Sequence, residues 1–198
     1  MNKLGQVASI RMGYPFRSRL EHDAKGCIAV VQMKDIDDDN LLHVEDTVRV
    51  ALADFKDHHL IRMGDLVFRS RGRTNSVALV SAEIGPAVLA APMLLIRPLK
   101  VLPAYLLWYI NLPDVQAALA AQAEGTSVRM ISKAALEELD IPVPSQRKQQ
   151  LIVEVSELAK DEQILLKQIA QANKRFADGV LMRYAKNTRQ SPDQRIEG

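Results

Sequence analysis

The chain has 198 residues, 47% of them hydrophobic but only 5% aromatic, enough for one packed domain with an aliphatic core plus an appendage. A single cysteine, Cys27, excludes a disulfide framework and a cysteine-based zinc site. No signal-like leader opens the chain and no apolar run reaches the ~18 residues of a membrane span, so a cytoplasmic, membrane-free protein is expected.

The net charge of +2 is uneven: residues 145–198 hold 10 Lys and Arg against 7 Asp and Glu, and residues 1–144 hold 16 against 17. A nucleic-acid surface in the first part therefore has to come from local clustering, not bulk charge. Leu4, Val7, Ala8 and Ile10 form one apolar face, helical or extended, and Gly13-Tyr14-Pro15-Phe16 breaks it. Arg11, Arg17 and Arg19 surround that break. Basic residues interleaved with aromatics suit phosphate neutralisation and base stacking; equally, Tyr14 and Phe16 can plug the core while the arginines are solvated. Cys27–Met33 is a β-branched apolar run and predicts a strand. Asp35, Asp37, Asp38 and Asp39 lack the glycine and closing glutamate of a calcium loop and are expected to be a solvated turn. Thr47–Ala51 alternates as a short strand. The adjacent His58 and His59 point in different directions on any regular backbone, so they form neither a metal site nor a catalytic pair.

Leu66-Val67-Phe68 predicts a buried strand after a Met63-Gly64-Asp65 turn. Arg69, Arg71 and Arg73 follow at spacing two, which puts them on one face of an extended chain, with Thr74 and Asn75 closing the loop. Forked guanidinium groups suit guanine edges and phosphates, and asparagine suits adenine; the plainer alternative is an exposed hairpin. Ser76–Val80 and Ala87–Pro98 predict further strands.

Pro103 opens a helix carrying Tyr105, Leu106, Trp108, Tyr109 and Ile110, with Trp108 expected in the core. A second helix runs from about Asp114 to Ala123. Thr126, Ser127 and Arg129 lie in a polar loop, Ser132 caps a short helix, and Ile141–Pro144 is extended. From Ser145 a single long helix is expected. Leu151, Val155, Leu158, Glu162, Leu165, Ile169, Ala172 and Phe176 alternate at spacings of four and three, the seam of a coiled coil. A helix of roughly 60 Å leaves this seam to be covered by a partner chain, or else folded back on its own domain. Glu162 marks a register or partner preference, or an imperfection.

These segments in order, LGQVASIRMGYPF, GDLVFRSRG, the strand ending IRP, YLLWYI, and GTSVRMIS leading through ALEELDIPVP into SQRKQQLIVEVSELA, resemble a specificity (S) subunit of type I restriction–modification systems, in a half-length form with one target recognition domain. One departure is Lys148, where the family commonly has an acidic residue before the glutamine. The resemblance implies an α+β target recognition domain over 1–144, a spacer and dimerisation helix over 145–187, and a disordered tail over 188–198. It implies a non-catalytic subunit that binds double-stranded DNA through Arg11, Tyr14, Arg17, Arg19, Arg69, Arg71, Arg73, Thr74 and Asn75, with Thr126, Ser127 and Arg129 supporting phosphate contacts. The implied partners are an adenine-specific modification subunit, which carries S-adenosylmethionine, in some systems a restriction subunit, and a second copy of the chain, since no internal repeat supplies the second half. The chain itself would hold no cofactor or metal. The competing reading is a truncated fragment whose coiled coil serves assembly alone.

Overall fold

The computed structural model describes residues 1–52, 55–71, 75–123 and 130–187. The chain divides into two units, Met1–Val153 and Glu154–Gly198.

The first unit is built on a four-stranded antiparallel sheet. β2 (Ala8–Met12) pairs with β8 (Leu94–Pro98), β8 with β5 (Leu66–Phe68), and β5 with β6 (Val77–Leu79). Because side chains alternate across a strand, its two faces feed separate cores. Leu66, Phe68, Leu94 and Ile96 meet Tyr105, Leu106 and Ile110 of α2 (Pro103–Ile110) and Leu119 of α3 (Pro113–Ala121). Val67, Leu95 and Ala78 meet the second sheet. That sheet holds β4 (Val48–Val50), β3 (Ile28–Val31) and β7 (Ala87–Leu89), with β3 antiparallel to β4 and parallel to β7. Its Ala29, Val31, Ala87 and Leu89 pack inward, while Ile28, Val30 and Val88 face outward beneath Tyr14 and Phe16.

The ends of the unit are tied together. β1 (Asn2–Lys3) pairs with β9 (Asp140–Ile141), and α1 (Leu4–Val7) buries Leu4 and Val7. Ser132 caps α4 (Lys133–Glu137), its Oγ accepting from the Ala135 amide at 3.1 Å. α5 (Gln146–Asn187) is one helix of 42 residues. Its first turns belong to the first unit: Gln149, 3% exposed, accepts from Leu102 N at 2.9 Å and donates to Pro144 O at 2.8 Å, and Ile152 and Val153 pack on the core.

Three expectations need correction. The run Ala87–Pro98 splits at Ala91-Pro92 into β7 and β8, which join different sheets, because proline cannot donate to a ladder. Asp35 is buried rather than solvated: its carboxylate accepts from the Gln32 amide at 2.7 Å and closes a 3-10 turn over Met33–Asp35. Trp108 is half-buried at the edge of the core rather than within it.

Candidate functional site

The segments that sequence analysis marked as basic converge on the turn between β7 and β8. Gly13 N donates to Met93 O at 2.9 Å, Tyr14 N donates to Leu89 O, and Ala91 N donates to Tyr14 O at 3.0 Å. So close is the approach that a Cβ on Gly13 would lie 2.7 Å from the Ala90 carbonyl carbon, which excludes any larger residue there. Ser70 Oγ donates to Pro92 O at 2.6 Å, placing the chain that leaves β5 on the other side of the same turn. Arg71 forms an isolated bridge with Met130, and Ile131 N donates to Ser70 O at 2.9 Å. The described ends of the 69–75 and 124–131 segments, far apart in sequence, are thus neighbours. Arg73, Thr74, Thr126, Ser127 and Arg129 themselves lie outside the described residues.

The arginines differ in what they are free to do. Arg71 is exposed, as are Arg11, Arg17 and Arg19. Arg11 donates to the His58 carbonyl at 3.2 Å. Arg69 is turned inward, so it does not share one exposed face with Arg71. Its guanidinium donates to Met33 O at 3.3 Å and to Ile36 O, and its buried Nε has no partner among the described residues. Asn75 is half-buried. Tyr14 is half-buried as well, its ring 4.9 Å from Phe16 and 5.4 Å, edge-on, from His59. Burial, followed by the charges of His58, Lys56 and Arg11, depresses the His59 pKa.

Beside the turn lies a groove of about 760 Å³. Arg19, Lys34, Phe16, Met33, Pro92 and Met93 are among its lining. Lys34 escaped sequence analysis because a lone lysine beside an acidic run carries no pattern; only the packing of the Met33–Asp35 turn beside the β7–β8 turn brings it to Arg19. Pro92 was the available signal for the turn itself, a proline inside an apolar run. Chemically, the arrangement offers cations beside a groove of mixed polar and apolar lining, suited to phosphates and flat rings. Among the described residues no cluster of three His, Cys, Asp or Glu could hold a metal ion, and no helix is long and apolar enough to cross a membrane.

In the described part of the second unit, α5 exposes its seam: Leu158 is 69%, Leu165 58%, Ile169 56% and Phe176 75% exposed. Leu151 and Val155 are exposed too, as are Glu162 and Ala172.

Residues 1–172 match the profile of the type I restriction modification DNA specificity domain. No curated protein matches the chain. Among solved structures, a chain from work on complex assembly and conformational transition of the type I R-M system superposes with TM-score 0.66 at 21% identity, over 91% of this chain and 42% of that one. The HsdS subunit from Thermoanaerobacter tengcongensis gives TM-score 0.62 at 21% identity, over 84% and 38%. The type I S subunit from M. genitalium gives 0.55 at 13%, over 90% and 43%. The chain thus spans about two fifths of the length of the solved chains it matches.

Proposed function

The chain belongs to the type I restriction–modification DNA specificity family, and from that membership we propose that it is a non-catalytic subunit that directs an adenine-N6 methyltransferase to a bipartite DNA target. Two copies pair through α5, each first unit reading one half of the target. Methyl transfer belongs to the modification subunit, which binds S-adenosylmethionine; a restriction subunit joins where one is present. The observation that supports this reading is that the segments carrying Arg11, Arg17, Arg19 and Arg71 meet at one turn, beside a groove lined by Arg19 and Lys34. In a unit whose overall charge is near neutral, such local clustering of cations is what phosphate contacts need. Arg71 is the base-reading candidate, because its guanidinium is exposed while that of Arg69 is bound internally. A two-fold pair predicts a palindromic interrupted target, since site symmetry follows protein symmetry.

The test maps methylated adenines in random-sequence DNA exposed to this chain, the modification subunit and S-adenosylmethionine. Methylation confined to an interrupted palindrome supports the reading. Methylation without sequence preference, or none with an active modification subunit, overturns it.

A further inference from the structure

The side chain of Arg69 does not face solvent as that of Arg71 does; it holds the turn that carries Lys34. One terminal nitrogen of its guanidinium donates to two carbonyls, Met33 O at 3.3 Å and Ile36 O. These carbonyls flank Lys34 and Asp35, at the start and just past the end of the 3-10 turn Met33–Asp35.

The orientation of that turn decides which charge reaches the surface. With three residues per turn, neighbouring side chains diverge by about 120°. Asp35 goes inward, at 8% exposure, while Lys34 stays exposed on the wall of the groove it shares with Arg19. The stretch that follows is acidic, with Asp38 and Asp39 exposed. A turn free to roll would bring carboxylates to the place where a cation now stands, and carboxylates repel phosphate.

The base of the strut is itself fixed. Arg69 N donates to Ser76 O at 2.9 Å, Ser70 Oγ holds Pro92 O, and Ser70 O accepts from Ile131 N. Arg71 projects outward from the same stretch. The turn's other hydrogen bonds are local: Gln32 N donates to the Asp35 carboxylate and His43 N to Asp35 O at 2.8 Å. The Arg69 guanidinium is what bonds the Lys34 turn to the Arg71 segment.

Resting on the reading that the first unit binds DNA, we infer that Arg69 is a positioning residue for that binding. It touches no DNA. It holds Lys34 at the groove, so that Lys34 meets a backbone phosphate of the same duplex that Arg71 reads.

The exponent with which affinity falls as salt rises counts phosphate contacts, at about 0.9 per contact on duplex DNA. A variant that is only less stable loses affinity by the same factor at every salt concentration and keeps the exponent. The full chain with the modification subunit is therefore titrated with a random-sequence duplex over a series of potassium chloride concentrations. Lys34→Ala should lower the exponent by about 0.9 for each copy of the chain on the duplex. Arg69→Met keeps the unbranched stem and removes every donor; it should lower the exponent by the same amount, and the double variant should lower it no further. Should Arg69→Met fail to fold, Arg69→Lys carries the same test, since it keeps the charge but replaces a rigid fork by a point donor on a flexible stem. A folded Arg69 variant whose exponent matches the parent overturns the inference. So do additive losses in the double variant, which make Arg69 a contact in its own right, and so does an unchanged exponent in Lys34→Ala. Each of these leaves the DNA reading standing. A complex that binds the duplex no better than the modification subunit alone overturns that reading and the inference together.

Discussion

Ser70 Oγ donates a 2.6 Å hydrogen bond to the carbonyl of Pro92, fastening the segment that carries Arg71 to the turn against which Gly13 and Tyr14 are built. Ser70 is 1% exposed. Ser70→Ala leaves the Pro92 carbonyl without this donor, at a cost of about 1–2 kcal/mol. Urea unfolding of the variant should show that loss in its midpoint. DNA affinity should fall as well, because Arg71 loses its anchor.

Arg69 and Arg71 should separate cleanly. Arg71→Ala removes an exposed side chain and should leave the unfolding midpoint unchanged while costing about 1–3 kcal/mol of discrimination between target and random duplex at fixed salt. Arg69→Ala removes the donor to the Met33 and Ile36 carbonyls and should lower stability first. Equal stability losses in both variants would contradict this division of labour.

Arg97 grips Asp65 through Nε and a terminal nitrogen, both at 2.7 Å, and also donates to Leu60 O at 3.0 Å. The Asp65 side chain is 3% exposed and that of Arg97 22%. The carboxylate further accepts from Arg62 N at 2.8 Å, closing the turn at Gly64, whose φ of 88° suits glycine. Asp65→Ala strips a largely buried cation of its partner and should destabilise by about 3 kcal/mol, read from chemical denaturation. This pair lies within the scaffold, so Lys in place of Arg97 should also destabilise, by losing the fork.

Two histidines should titrate on opposite sides of the ordinary value of 6.5. His43 bonds Asp37 at 2.7 Å; that bond raises the His43 pKa and lowers that of Asp37. Its stabilisation is complete below pH 6.5 and is lost as pH rises through the raised His43 value. Asp37 supplies the other limit: its share is present above its ordinary 3.8 and is lost as pH falls through the lowered value. His59 behaves in the reverse sense, since burial favours its neutral ring. Its contribution is present above 6.5 and is lost as pH falls toward the depressed value, loosening the packing on Tyr14. Ring resonances followed by NMR across about pH 4.5–8.5 check both directions (a range of about four units centred on free histidine); a shared midpoint would refute them.

Local chemistry written in the sequence determined the elements: the heptad spacing of Leu151 to Phe176, Pro103 at a helix start, Ser132 as a cap, and the β-branched run at Ile28–Val31. Each depends on neighbours a few residues away, so each was legible without the fold. The arginine cluster was legible as composition but not as geometry. Which arginine stays exposed depends on carbonyls 33 to 36 residues distant in the chain, and the assembly of Gly13, Ser70 and Lys34 around Pro92 depends on sheet pairing. Such long-range contacts leave no periodic trace, so tertiary structure alone turned Arg69 inward, left Arg71 outward and brought Lys34 to the groove.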